Sequence, residues 1–549
     1  MEFNLAQVHD TVTAAAPDRE CIVWRDRRLS YAEVADRTRR LARYLHERGL
    51  GAHSDRGALA GHQSHQDHLA LYLHNYNEYL EGMLCAYNAR VAPFNVNYRY
   101  VAGELRYLLA DAGARGIVFH GAFAPTLAEV LGDLCDLEVL VQVDDGSCHA
   151  LLAGVVDYDE ALRRASPEPL DLELSPDDLY IIYTGGTTGM PKGVLWRQAD
   201  IFVTCMGGRN ASTGDELAGL DALFEGARGG GLRVLATPPF MHGAGHWVAF
   251  NAFTGGHTVV IQHDTTLLDP HDVWSTAERE KVNVMLLVGD AFGRPLVDQL
   301  DVGTYDLSPL FFLASGGATL NPSIKERFLA RLPGATITDV VGSSETGSQM
   351  TQVSSAGHPV TSGTFTPGPG ACVVSDDLSR VLEPGHDEIG WLAQRGRVPL
   401  GYLNDPDKTA RTFPTIGRER YSVPGDRARL TADGLIELYG RDSVTINSGG
   451  EKVFAEEVEQ ALARHPGVYD VVVAGRASER WGEEVVAVVQ PAAGAAVTEA
   501  ELVEECTRSL ARFKRPKAIV FVDHVVRSPA GKADYRWARQ VAGEGYSPS

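Results

Sequence analysis

Cysteine is sparse in this 549-residue chain, and no two cysteines stand in a CxxC unit. Cys21, Cys85, Cys135, Cys148, Cys205, Cys372 and Cys506 are scattered and odd in number, which argues against a disulfide framework and for a reduced, cytoplasmic protein. Long apolar runs are missing too: none approaches the roughly 18 residues that cross a bilayer. The opening MEFNLAQVHDTVTAAAPDRE has neither a basic start nor an apolar core, so no signal peptide is expected. Positive charge is in deficit, with 50 Lys+Arg against 72 Asp+Glu and a net charge of −22. That field repels nucleic acid and anionic membrane surfaces. No run of five like charges supplies a local exception. An anionic small ligand must therefore be met by local groups. No internal repeat is obvious.

What is present is alternation. LSYAEVADRTRRLARYLHERGLG (29–51) reads as one amphipathic helix, capped by Ser30 with Glu33 three residues on and stopped by Gly49 or Gly51. DAGARGIVFH, LEVLVQV, LYIIYTGG, VNVMLLVG, LSPLFFLASGG and ATITDVVGSSE read as short buried strands, several ending in Gly and Ser. Helical segments such as HDVWSTAEREK and NPSIKERFLARL separate them. Such alternation argues for an α/β fold with largely parallel sheets, whose ligands sit beyond the carboxyl ends of the strands. From about Gly396 short strands and tight turns take over, with Asp433-Gly434 a type I′ candidate. After Gly440 a helix–strand–strand–helix–strand pattern defines a compact α+β unit of about 110 residues, a typical small-domain size. The expected architecture is a large N-terminal domain (1–440) of α/β subdomains with a small β-rich subdomain, then a small C-terminal α+β domain (441–549).

Two stretches look inserted. HSDRGALAGHQSHQDH (53–68) holds four histidines, but His62, His65 and His68 fit no standard metal spacing, and a solvated loop is expected. Residues 207–231 are rich in glycine and read either as a lid or as a plain surface loop.

YTGGTTGMPKGV (183–194) concentrates glycines, threonine hydroxyls and one lysine directly after a strand. Backbone N–H groups of glycine-rich turns bind anions, hydroxyls add donors, and a lysine follows a phosphate. The usual P-loop is excluded, because Pro191 precedes Lys192 and Gly193 follows it.

This loop resembles the phosphate loop of the adenylate-forming superfamily, which includes acyl-CoA synthetases, luciferases and peptide-synthetase adenylation domains. Further motifs stand in the family's order along nearly the whole chain. VVGSSETG (340–347) is similar to the family's aromatic-Gly-x-Thr-Glu segment, with Val341 in place of the aromatic that stacks on adenine. The resemblance gives Gly342, Ser343 and Ser344 to the nucleotide and Glu345 to Mg²⁺, with Thr188 a second metal contact. Asp339 matches a position that faces adenine. ASGGATL (314–320) brings Gly316 and Gly317 behind the nucleotide. Pro424-Gly425-Asp426 resembles the family's Thr-Gly-Asp, in which the Asp accepts from both ribose hydroxyls. Arg441 matches an arginine reaching ribose or phosphate, and the pivot between the domains falls at Asp442 or Ser443. SPAGKADYR (528–536) resembles the C-terminal motif with its lysine, here Lys532.

By this resemblance the chain uses ATP, Mg²⁺ and coenzyme A. Thr184, Gly185, Gly186, Thr187, Thr188, Gly189 and Lys192 hold phosphates, Lys532 assists adenylate formation, and a rotation then brings Ser448, Gly449 and Gly450 to line a thiol channel. His242, in TPPFMHGAG, stands between acyl pocket and nucleotide or is a buried structural histidine. Phe240, Trp247, Val288, Gly289, Ala291 and Phe292 are expected near the acyl group, and VGDAFGRPL (288–296) offers no basic group placed for a second carboxylate. A large apolar acid is therefore expected, and the chain is most similar to actinobacterial synthetases for sterol side-chain acids. A medium- or long-chain fatty acid is the alternative to the sterol acid. Transfer to a separate carrier protein is the alternative reaction, since 17 residues after Lys532 do not make a carrier domain. A homodimer is left open.

Overall fold

A computed structural model describes residues 2–184, 190–210, 212–361, 363–386, 388–448, 451–478, 481–508, 510–528 and 531–544. Gly185, Gly186, Thr187, Thr188, Gly189, Gly449 and Gly450 lie outside the described residues.

Ser30 caps the helix Tyr31–His46 in a capping box with Glu33, and Gly49 takes a positive φ of 81° just beyond its end. This helix packs its apolar face into the main N-terminal core, which also takes in the amino-terminal helix Leu5–Ala15. One sheet of five parallel strands runs in the order Ala92–Asn95, His68–Tyr72, Ala114–His120, Val139–Val143, Val156–Asp157. A longer sheet starts at the antiparallel edge strand Arg27–Ser30 and runs in parallel through Glu20–Trp24, Thr258–Ile261, Arg233–Ala236, Val284–Leu287, Phe312–Gly316 and Thr336–Ser343. It turns antiparallel at Gly347–Ser355 and continues into a β-rich region containing Asp426–Leu430 and Ile436–Arg441. The C-terminal unit wraps helices around Val468–Ser478 and Gly482–Pro491, with Ala518–Phe521 parallel to the latter. Its last helix, Tyr535–Glu544, has no counterpart in the sequence reading.

The strand Leu179–Thr184 pairs antiparallel with Lys192–Arg197. Three expectations change. The Asp433-Gly434 turn is not type I′, which needs positive φ at both central residues. Only Gly434 is positive, at 82°; its N–H donates to the Thr431 carbonyl at 3.1 Å, and the Thr431 N–H donates to the Leu435 carbonyl at 2.9 Å.

The histidine stretch is a solvated loop only in part: His53 is exposed and His62 half-buried, but its end is buried. His65 and His68 are buried, His65 facing Asp178 at 3.4 Å and His68 bonding Ser64 at 2.7 Å and the Ala112 carbonyl. These partners account for the burial of His65 and His68; no cluster of metal-binding side chains occurs among the described residues. In residues 207–231, Leu220–Arg228 forms a helix that packs on Leu5–Ala15 by way of Leu223 and Ala227. A nonpolar helical face inside a glycine-rich stretch thus anchors it to the body of the protein.

Candidate active site

The hairpin register sets Thr184 directly opposite Lys192. The Lys192 ammonium lies 3.8 Å from Asp111 and 3.7 Å from Asp405. Burial pulls its pKa down, but Asp111, Tyr107 and Asp405 outweigh that and hold it above the ordinary lysine value.

Asn95, at the end of its strand, ties two loops together. Its amide donates to the Tyr183 carbonyl at 2.9 Å and the Met241 carbonyl at 2.7 Å, and its oxygen accepts from the Tyr183 N–H at 2.7 Å. The strand Leu179–Thr184 and the segment ending in His242 are therefore fixed to one buried side chain. Asn75 does the same on the other flank, donating to the Pro238 carbonyl at 2.9 Å and accepting from the Phe240 N–H at 2.6 Å. Neither asparagine was singled out from sequence. Their signal is an amide at a strand end, which is common.

His242 begins the helix Gly243–Thr254, and its Nε2 is buried with no partner among the described residues. Burial lowers its pKa to about 4, helped by the positive charges of Lys532 and Arg99. His246, one turn on, is the structural histidine: it bonds the Phe240 carbonyl at 2.6 Å and Tyr180 at 2.5 Å. Phe240 is fully buried in the core.

The strand Thr336–Ser343 delivers Asp339, Gly342 and Ser343, and the turn behind it delivers Ser344 and Glu345. Gly342 is required: a Cβ there would stand 2.1 Å from the Gly347 carbonyl. Ser343 Oγ accepts the Glu345 N–H at 3.2 Å, Ser422 donates to the Glu345 carbonyl at 2.6 Å, and Trp196 donates to the Ser344 carbonyl at 2.8 Å. The Glu345 carboxylate accepts the Tyr402 hydroxyl at 2.8 Å. Val341 packs partly against the β-rich core around Met350 and Phe365. Gly316 closes its strand opposite Val340, one residue from Asp339, with Gly317 next.

Asp426 and Arg441 face each other across an antiparallel pair, 3.3 Å apart. Asp442 follows, 3.4 Å from Arg427 and 3.7 Å from Lys452 of the C-terminal unit.

The C-terminal unit contributes Lys532. Its turn is closed by Ser528 N–H to the Lys532 carbonyl at 2.7 Å, and Arg527 holds Asp470 at 2.6 Å. Gly531, at φ 73°, leaves no room for a side chain against Ala291, 3.0 Å from where a Cβ would stand. Solvent reaches Lys532, yet protein surrounds it. Crowding lowers its pKa, the Arg441 guanidinium lowers it further, and the Glu345 and Asp426 carboxylates oppose both. The ionisable groups of Lys532, His242, Glu345, Asp426 and Arg441 thus lie close enough to act on one another where the C-terminal unit meets the body. Ser448 lies elsewhere, in the C-terminal sheet opposite Glu451 and Gly482.

Of the residues expected near an acyl group, Val288 and Phe292 are buried in the core of the central α/β region. The basic group in that segment, Arg294, turns to Asp290 at 3.8 Å and to the Tyr469 ring.

The chain belongs to the AMP-binding enzyme family: residues 10–403 match the AMP-binding enzyme domain and residues 457–532 its C-terminal domain. It is an enzyme of that family, with the mixed α/β fold of adenylate-forming enzymes. Over 99% of its length and 99% of the relative's it is 55% identical to a medium-chain acyl-CoA ligase, Mig, of Mycobacterium avium. It is 39% identical to a 3-oxocholest-4-en-26-oate–CoA ligase of Rhodococcus rhodochrous, covering 99% of this chain and 96% of that one. Its fold matches ATP-bound MatB of Rhodopseudomonas palustris with a TM-score of 0.79 over 100% of both chains, at 22% identity.

Proposed function

We propose that the protein is an AMP-forming acyl-CoA ligase for a large apolar monocarboxylic acid, a medium-chain fatty acid before a steroid side-chain acid. The observation that carries the reaction is the convergence of Lys532 from the C-terminal unit with His242, Glu345, Asp426 and Arg441 from the body. Buried polar atoms without partners invite a ligand, and His242 Nε2 and Asp339 Oδ1 are two such atoms. The greater identity to the medium-chain ligase favours the fatty acid and favours CoA over a carrier protein as acceptor.

In the first step a carboxylate oxygen of the acid attacks the α-phosphorus of ATP, the bond to the β-phosphate breaks, and pyrophosphate leaves with acyl-adenylate retained. Lys532 offsets charge on the carboxylate and α-phosphate as they meet, and Lys192 grips the departing phosphates. Asp426 and Arg441 anchor the ribose. Positioning and electrostatics carry most of such a transfer. His242, held neutral, separates the acyl group from the nucleotide. A single carboxylate, Glu345, suits Mg²⁺, which keeps most of its shell for phosphates and water; when bound, the ion neutralises phosphate charge. In the second step the CoA thiol attacks the acyl carbonyl and AMP leaves. We place the domain boundary at 440 and the pivot at Asp442, whose carboxylate contacts both sides of the junction. Lys532 then withdraws, and residues 448–450 line the thiol's approach.

The test is a panel of acids from short to long chain, with steroid side-chain acids, given ATP, Mg²⁺ and either CoA or carrier protein, and read by mass spectrometry. A medium-chain acyl-CoA with equimolar AMP and pyrophosphate is expected. Absence of pyrophosphate with every acid, or acylation of the carrier alone, would overturn the reading.

A further inference from the structure

Lys325, on the helix Pro322–Arg331, is fully buried. An ammonium has three donors, and three acceptors meet this one: the Asp339 carboxylate, the Thr361 carbonyl at 3.0 Å and the Gln352 side-chain oxygen at 3.4 Å. They come from the strand Thr336–Ser343, its antiparallel neighbour Gly347–Ser355, and the segment beyond. Lys325 takes Asp339 by Oδ2. The other oxygen, Oδ1, is buried and without a partner among the described residues. Asp339 pairs in register with Ser315, next to Gly316 and Gly317, and precedes Gly342 by three residues.

We propose that Lys325 is a positioning residue for nucleobase selection: it pins one oxygen of Asp339 and leaves the other as a fixed acceptor for the exocyclic amine of a 6-aminopurine. This rests on the reading of Asp339 as the adenine-facing group. An ionised carboxylate only accepts hydrogen bonds, so it attracts a 6-amino group and repels a 6-oxo group. Burial alone works against that state. It pushes the Asp339 carboxyl up, the Lys325 ammonium pulls it part of the way back, and the Asp290 charge adds to the push, so the carboxyl stays above the ordinary value. Without the ammonium, a buried carboxyl keeps its proton, becomes a donor as well as an acceptor, and can pair with either purine edge. Buried ion pairs are weak stabilisers, so the worth of this one lies in fixing charge and orientation.

The experiment measures acid-dependent pyrophosphate exchange with ATP and with ITP, which differs from ATP at purine position 6. Lys325→Met, Asp339→Asn and the double variant are compared with wild type, with thermal melting as the check on folding. Lys325→Met is expected to raise the KM for ATP and lower the ATP/ITP preference, each about tenfold, the loss of one hydrogen bond to a charged group. The KM for the acid should not move. In the Asp339→Asn background, Lys325→Met should change the preference no further. A folded Lys325→Met with wild-type preference and KM for ATP overturns the proposal, as does the same change in preference with and without Asp339. If Lys325→Met does not fold, Lys325→Gln takes its place. Wild-type preference in Asp339→Asn also overturns it. Failure of wild type to exchange pyrophosphate with ATP would sink the ligase reading instead.

Discussion

The guanidinium of Arg294 lies over the ring of Tyr469, 4.6 Å from its centroid. Arg294 belongs to the helix Gly289–Val302 in the body and Tyr469 to the C-terminal strand Val468–Ser478. The contact therefore helps seat the unit that brings Lys532 to the cleft. Such pairs contribute about 1 kcal/mol, more when desolvated. Arg294→Ala should slow acyl-adenylate formation about 3- to 10-fold and leave thioester formation from supplied acyl-adenylate intact. Stopped-flow assays of the two half-reactions check this, and an equal fall in both would count against it.

Lys532→Ala removes the ammonium facing Glu345, Asp426 and His242. Loss of one charge stabiliser of this kind costs about 100- to 1,000-fold in rate. Adenylate formation should fall by that factor while supplied acyl-adenylate is still converted to thioester. The same drop in the second step would contradict the assignment.

Asn95→Asp keeps the acceptor for the Tyr183 N–H and sets a carboxylate against two carbonyls. A buried group left without its partner costs about 1–3 kcal/mol. The variant should melt lower by that amount and lose pyrophosphate exchange out of proportion to its folded fraction, because the hairpin and the His242 segment part together. Wild-type exchange per folded molecule would show that the two loops are held independently.

Glu456 of the C-terminal unit packs its carboxylate over Gly440, beside Arg441. Burial, and then the Asp426 charge, raise its pKa from the ordinary 4.5 to about 7 against the pull of Arg441. Between 4.5 and 7 the seated protein keeps a proton that the unseated one has lost, so rising pH through that window weakens the seating, and the loss persists above it. Glu456→Gln should remove the dependence, adding about 1–2 kcal/mol at pH 8 after discount for solvent and little at pH 4.5 or below. Melting curves across that range decide it. A constant difference would mean the carboxylate is ionised throughout.

The helix capped by Ser30, the parallel strands and the order of the motifs were legible because each is encoded by neighbouring residues: a cap, an apolar run, a cluster of glycines. The roles that were missed belong to residues whose partners are distant in sequence. Asn95 meets Tyr183 and Met241, and Lys325 meets Asp339 and Thr361; nothing near either residue marks it. The histidines at 65 and 68 read as polar loop residues because the partners that bury them, Asp178 and Ala112, come from other elements.

The turn bearing Lys532 rests on Ala291, on the helix Gly289–Val302 that we propose as a wall of the acyl pocket. An acid that wedges this helix outward would keep the C-terminal unit from seating. Selection for chain length would then be exerted as a checkpoint on closure, and misfit acids would bind in the open cleft yet fail to commit the nucleotide.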